Sequence, residues 1–72
     1  MQIYQRLKDL REDADKSQEE IAEILGTSQQ YYGKYEKGQR PITFERVITL
    51  AKYYNVSIDY IAGLTNEKRP LK

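Results

Sequence analysis

Apolar residues recur at helical spacing along the chain and predict an all-α domain of five short helices. The first helix places an apolar stripe on one face, at Ile3, Leu7, Leu10 and Ala14. The fourth does the same with Phe44, Val47, Ile48, Ala51 and Tyr54. The fifth helix is short, and its apolar residues are expected to face inward: Ile58, Ile61 and Ala62. Each stripe can cover one side of a small shared core.

Capping residues between the stripes mark where each helix begins and ends. Ser17 and Glu20 have the Ser-x-x-Glu spacing of a capping box, and Gly26 follows the last apolar residue, so a second helix is expected over about 18–25. A third helix is expected over 28–37, with its first residue, a serine, as the N-cap. The fourth helix is expected to begin after Thr43 and to end at Asn55. The fifth is expected to begin after Ser57 and to end at Gly63.

Residues 18–37 contain a helix, a glycine turn and a second helix. The small Ala22 falls where two helix backbones must pass closely, and Gly26 falls where the turn needs a positive φ. Apolar residues fill the positions between the two helices: Ile21, Leu25, Tyr32 and Tyr35. This spacing is that of a helix-turn-helix. It predicts one domain over 1–64, followed by a flexible polar tail over 65–72.

The composition narrows the possible classes of function. The chain of 72 residues has room for one domain, and it contains no Cys and no His. Disulfides, the usual zinc sites and the usual acid–base residue are therefore excluded. We expect a cytoplasmic binding module that is not an enzyme, with no metal, cofactor, small-molecule ligand or membrane segment. The net charge of +1 excludes a strong polycation, so binding to a nucleic acid would be modest for each monomer and sensitive to salt.

The sequence resembles the Cro/repressor-type helix-turn-helix regulators, often called the Xre family, over about residues 3–64. The stretches that carry the resemblance are Ser17–Ala22, Leu25–Ser28, Tyr35–Gly38, Arg40–Ile42, Leu50–Ala51 and Val56–Tyr60. The resemblance implies a compact five-helix, lambda-repressor-like domain that binds double-stranded DNA. It further implies a dimeric transcriptional regulator of bacterial or phage type, most simply a repressor, whose third helix enters the major groove of a palindromic operator.

The exposed start of the third helix holds the expected base contacts. The amides of Gln29 and Gln30 donate and accept hydrogen bonds together, as pairing with the adenine edge requires. Lys34 lies one turn after Gln30 and can reach a guanine edge or a phosphate. Gly33 is expected on the same face, where it either permits close approach to DNA or is simply an unconstrained exposed residue.

Residues around this helix are the expected phosphate contacts: Gln18, Ser28, Tyr31, Lys37, Gln39 and Arg40. Two of them stand at helix N-termini, where free amides and the helix dipole favour an anion. Arg40 is the strongest candidate, because it lies in the loop that family members use for phosphate contacts. The resemblance also implies that Gln18 braces Gln29.

Two further roles follow from the resemblance. Arg11 and Glu36 match a partly buried ion pair that orients the third helix, and that pair is structural. The dimer interface is expected at the fifth helix and the residues beside it, with Tyr60 and Leu64 as anchors.

Two alternatives stay open at the level of sequence. The first, which stays within regulation, is an antitoxin or a restriction-system controller that regulates its own operon. The second is a protein-interaction module that keeps the fold without binding DNA. The exposed Gln29, Gln30 and Lys34 argue against that module, whereas the near-neutral charge favours it.

Overall fold

The computed structural model describes residues 3–68, and within that range it contains five α-helices and no strand. The helices are α1 (Ile3–Asp13), α2 (Gln18–Leu25), α3 (Gln29–Glu36), α4 (Phe44–Tyr54) and α5 (Ile58–Ala62). This order confirms the predicted all-α architecture. None of these helices is long and apolar enough to cross a membrane.

The predicted capping residues form the helix boundaries. The capping box is complete, because Ser17 Oγ accepts from the Glu20 amide at 3.1 Å and Glu20 Oε1 accepts from the Ser17 amide at 2.8 Å. The backbone hydrogen bond to Ser17 is the main reason that the pKa of the Glu20 carboxyl lies below its usual value. Gly26 ends α2 in the left-handed region, with φ of 72°. These local signals alone therefore fix where α2 starts and stops.

The buried core draws on every helix. It comprises Leu7, Leu10, Ile21, Ala22, Tyr32, Tyr35, Val47, Leu50, Ala51, Val56 and Ile61. Two residues of the predicted stripes are exposed instead. Phe44, the first residue of α4, is 66% exposed. Ala14 is exposed, because α1 has already ended at Asp13.

The stretch 65–68 is not the free tail expected from the sequence. The Ser57 amide donates to the Lys68 carbonyl at 2.8 Å, and Arg6 Nη2 donates to Asn66 Oδ1 at 3.5 Å. Arg6 is only 4% exposed, and its guanidinium carbon lies 3.9 Å from the centre of the Tyr60 ring. This part of the chain is therefore attached to α1 and α5. The rest of the predicted tail, 69–72, lies outside the described residues.

Two glycines with positive φ, Gly26 and Gly38, provide a matched test of how tightly the Tyr4 ring packs against the end of α3. A Cβ at Gly26 meets nothing within 4 Å, whereas a Cβ at Gly38 would lie 2.9 Å from Tyr4 Cε1. We expect Gly26→Ala to lower the free energy of unfolding by about 1 kcal/mol through left-handed strain alone. Gly38→Ala adds overpacking against the ring and should cost about 1 kcal/mol more. Urea denaturation of both variants measures the difference, and equal losses would show that the Tyr4 ring moves aside freely.

Candidate nucleic-acid interface

The turn between α2 and α3 holds the two helices in a fixed relation. Beyond Gly26, the Thr27 amide donates to the Ala22 carbonyl at 2.9 Å, and Ser28 then caps α3. Ala22 is 2% exposed, and Tyr32 on the facing helix is fully buried. One side of α3 is thus packed into the core, and its other side is available to a partner.

The outer face of α3 presents polar side chains to solvent. Gln29, Gln30, Lys34 and Lys37 are all exposed. Among residues 3–68, neither glutamine amide has a hydrogen-bond partner, so both their donors and their acceptors remain unused. The first turn of α3 therefore offers two adjacent amides that can read the edge of a base pair.

Gly33 does not belong to this exposed face, which corrects its expected role as a base contact. It is buried, and a Cβ built on it would lie 3.4 Å from Gln18 Oε1. On a helical wheel Gly33 falls beside Gln29, but the side chain of Gln18 extends from α2 and covers it. The glycine therefore faces a neighbouring side chain rather than open space.

Gln18 is half-buried at the first position of α2, and its side chain points across to α3. Its Nε2 donates to Glu36 Oε1 at 3.0 Å. The bond goes to the last residue of α3, whereas the resemblance implied a contact with Gln29 at the other end of that helix. Gln18 thus joins the start of α2 to the end of α3.

Glu36 is the acceptor at the centre of a network that connects α1, α2 and α3. Its Oε2 accepts from Arg11 Nε at 2.7 Å, and its Oε1 accepts from Arg11 Nη2 at 3.1 Å. Arg11 also donates through Nη1 to the Lys16 carbonyl at 3.0 Å. The side chains are 13% exposed for Arg11 and 3% for Glu36. The two-pronged pair fixes the end of α3 against α1.

The pKa directions agree with this geometry. Burial alone would raise the pKa of the Glu36 carboxyl, but hydrogen bonds, with Arg11 foremost, hold it below its usual value. The hydrogen bond to Glu36 raises the pKa of the Arg11 guanidinium. Burial, and then the nearby Glu36 carboxylate, raise the pKa of the Tyr32 and Tyr54 hydroxyls. Glu36 is thus a charged carboxylate beside two neutral phenols.

A cluster of cations and rings lies beside the start of α3. Tyr31 is 36% exposed and packs edge-on against Tyr35, with ring centres 5.4 Å apart. The guanidinium carbon of Arg40 lies 5.8 Å from the centre of the Tyr31 ring, and that of Arg46 lies 5.9 Å from the same point. Arg46 Nη1 also donates to the Tyr35 hydroxyl at 2.8 Å. Two cations therefore lie within 5.9 Å of the centre of an exposed ring next to the outer face of α3.

Arg46 is absent from the residues that the sequence analysis selected. The available signal was weak: Arg46 is a cation in the first turn of a helix, where the dipole disfavours positive charge. An arginine at this position therefore suggests a role other than stabilising the helix. Its closeness to Tyr31 and Arg40 depends on how α4 packs against α3, and no sequence spacing reports that.

The remaining predicted contacts lie around the same surface. Ser28 Oγ accepts from the Tyr31 amide at 3.1 Å, so the hydroxyl is engaged in capping while its proton remains free to donate. Lys37 is the exposed C-cap of α3. Gln39 is exposed in the following loop, where its backbone N–H donates to the Lys34 carbonyl at 2.9 Å. These groups border the face that carries Gln29.

The two expected dimer anchors, Tyr60 and Leu64, differ in how exposed their side chains are. Leu64 is 77% exposed, but Tyr60 is half-buried and its ring carries the Arg6 guanidinium. An open groove of about 690 Å³ lies between α4 and α5, and its apolar lining includes Phe44, Ile48 and Ile58. The groove is therefore a further exposed apolar surface, lined by residues other than the predicted anchors.

A helix-turn-helix family model matches residues 7–61. The chain is 38% identical to YobD of Bacillus subtilis, an uncharacterized HTH-type transcriptional regulator, over 92% of this chain and 59% of YobD. It is 34% identical to RstR of Vibrio cholerae serotype O1, a cryptic phage CTXphi transcriptional repressor, over 99% of this chain and 65% of RstR. The chain thus spans about three-fifths of the length of these relatives.

A solved structure with the same fold is the restriction-modification controller protein C.AhdI of Aeromonas hydrophila. The TM-score is 0.73 at 30% sequence identity, and the match covers 82% of this chain and 89% of C.AhdI. The fold of this chain therefore also occurs in a restriction-modification controller protein.

Proposed function

The chain belongs to the Cro/repressor-type helix-turn-helix family, and on that basis we propose that it is a sequence-specific transcriptional regulator that binds double-stranded DNA. It acts in the cytoplasm and places α3 in the major groove, which is wide enough to admit a helix. The observation that carries this proposal is the pair of unpartnered amides, Gln29 and Gln30, at the exposed start of a helix that is fixed on its other side by the core.

The contacts divide into readers of bases and binders of phosphate. Gln29 and Gln30 read bases, with Lys34 one turn further along. The phosphate contacts surround them: Gln18, Ser28, Tyr31, Lys37, Gln39 and Arg40, to which the structure adds Arg46. Both arginines lie beside Tyr31, so the phosphate surface continues from the outer face of α3 onto the start of α4.

The regulator acts as a dimer that joins through the groove between α4 and α5. Phe44, Ile48 and Ile58 supply the apolar centre, and the oppositely charged Lys52 and Asp59 line the same groove. A two-fold axis through the groove would bring each charge towards its opposite on the other copy. The predicted anchors extend this interface: Tyr60, whose ring lies beside the Arg6 guanidinium, and the exposed Leu64.

Removal of the Phe44 side chain tests the dimer surface. We expect Phe44→Ser to raise the dimer dissociation constant by about 30-fold, the scale of an aromatic residue central to an interface, with little change in fold stability. The matched control is Tyr53→Ser, which removes another exposed aromatic side chain of α4 outside the groove. Sedimentation equilibrium measures both. Equal effects of the two substitutions would place the interface elsewhere.

Selection from a random duplex pool tests the function itself. The expected result is one enriched motif, arranged as an inverted repeat with half-sites about one helical turn apart or a multiple of it. Binding should weaken steeply as salt rises, because Lys and Arg displace counterions from the phosphates. If no sequence is enriched at any salt concentration, the fold serves a protein partner instead.

A restriction-system controller is the second candidate, and one observation favours it. The chain shares its fold with C.AhdI, a restriction-modification controller protein, at 30% sequence identity. A controller would bind upstream of its own gene. The selected motif should then lie in that position, with restriction or modification genes adjacent.

A further inference from the structure

We propose that Gly33 and Glu36 are positioning residues that hold the Gln18 amide at the DNA surface. Gly33 provides the space in which the amide lies, and Glu36 fixes its orientation. This inference rests on the proposed function and adds to it two residues that touch no DNA themselves.

The amide of Gln18 lies broadside over Gly33. A Cβ at position 33 would be 3.4 Å from Gln18 Oε1 and 4.0 Å from both Cδ and Nε2. These are ordinary contact distances, so alanine fits beneath the amide. A side chain with atoms beyond Cβ would enter the volume that the amide occupies. The space therefore accepts a methyl group but not a branched side chain.

Glu36 is suited to fix the amide because it is itself buried and hydrogen-bonded to Arg11. Arg11 binds both of its carboxylate oxygens, at 2.7 Å and 3.1 Å, and its side chain is 3% exposed. Glu36 Oε1 then accepts one N–H of Gln18 at 3.0 Å. A carboxylate accepts only from the amide nitrogen, so this bond also decides which end of the amide faces the core.

The second N–H of Gln18 is left for a partner outside the protein. Gln18 is only half-buried, and its inward N–H is already used by Glu36. It stands at the first position of α2, an eight-residue helix whose first backbone amides and positive dipole end favour an anion. The fixed side-chain donor and the helix end thus both suit a DNA phosphate.

A merely structural role makes a different prediction. If Gln18 served only to satisfy Glu36, changes at position 33 would alter stability and leave the affinity for DNA unchanged in the folded protein. If Gly33 instead faced DNA directly, a larger side chain would weaken binding whether or not Gln18 was present. A double-mutant cycle separates these cases.

The cycle uses Gly33→Val, Gln18→Ala and the double variant, with Gly33→Ala as the matched control. Affinity is measured on the duplex selected by the unmodified protein, with circular dichroism to verify folding. We expect Gly33→Ala to bind within about twofold of the unmodified protein and to resist urea better, since alanine is the stronger helix former. Gly33→Val and Gln18→Ala should each weaken binding by about tenfold, the effect of one hydrogen bond to a charged group.

The double variant should bind no more weakly than Gln18→Ala alone. The slope of log affinity against log salt should stay unchanged throughout, because no cation is removed. Fully additive losses would overturn the proposal for Gly33. Glu36→Gln, studied at a temperature where it is folded, gives a second cycle with Gln18→Ala that does not depend on position 33. Additive losses there would overturn the role of Glu36.

The outcomes also separate this inference from the proposed function. If the unmodified protein binds no duplex, both fail. If it selects a motif but the two cycles are additive, the regulator stands and the positioning network does not.

Discussion

Replacing Arg11 with Met is expected to lower the free energy of unfolding by about 3 kcal/mol or more, because it leaves a buried carboxylate without its cation. Glu36 has a side chain only 3% exposed, and Arg11 supplies two of its hydrogen bonds. For a domain of this size, such a loss corresponds to a decrease of roughly 10–20 °C in Tm. Urea and thermal denaturation at pH 7 measure it.

The pH dependence of this effect has a definite sign. In the unmodified protein the pKa of Glu36 lies below its usual value, because the bonds led by Arg11 outweigh the effect of burial. Its stabilising contribution is therefore present above the pKa of the unfolded chain, about 4.3, and is lost as the pH falls through the lower folded value. Without Arg11, burial raises the folded pKa, so the variant gains relative stability as the carboxyl is protonated.

The difference in free energy of unfolding between the unmodified protein and Arg11→Met should accordingly narrow from pH 7 to pH 4. Lys8→Met is the control, since it removes an exposed cation from the same helix. Arg11→Met combined with Glu36→Leu should regain part of the loss, because no unpaired charge remains. A gap that stayed constant across this pH range would mean that the effect of Arg11→Met is one of packing alone.

The combined substitution Gln29→Ala and Gln30→Ala is expected to abolish sequence preference while keeping the fold. Each bidentate base contact contributes about 1–3 kcal/mol of discrimination, so together the loss is on the order of a hundredfold or more on the selected duplex. Both side chains are exposed, and alanine is the stronger helix former, so stability should be equal or higher. Fluorescence anisotropy on selected and scrambled duplexes measures the change.

Binding to the scrambled duplex should be nearly unchanged, since no phosphate-binding cation is removed. Gln5→Ala is the matched control: Gln5 is an exposed glutamine of α1 whose amide bonds to Asp9 at 3.1 Å. If the double variant retained its preference for the selected duplex, base readout would have to lie outside the first turn of α3.

The helices could be predicted from the sequence because their signals are local. The capping box at Ser17, the left-handed positions at Gly26 and Asn55, and the apolar spacing each lie within a few neighbouring residues. The fully buried Leu50 is missing from the predicted stripe of α4, although it lies on the same helical face, three residues after Val47 and four before Tyr54.

The errors concern contacts between distant parts of the chain. A helical wheel places Gly33 outward, but it contains no information about Gln18, which covers it from another helix. Arg46 lies beside Tyr31 only because of how α4 packs against α3. The stretch 65–68 reads as a polar tail, yet Ser57 and Arg6 hold it through hydrogen bonds. The Arg11–Glu36 pair spans 25 residues and was available only through family resemblance.

The measurement that tests the central claim most directly is the ratio of dissociation constants for scrambled and selected duplexes, determined with the unmodified protein at about 0.15 M salt. We expect a ratio of about 10³ or more, as sequence-specific regulators show. A ratio near one would contradict the claim, because binding would then depend on the phosphate backbone alone and α3 would not read sequence.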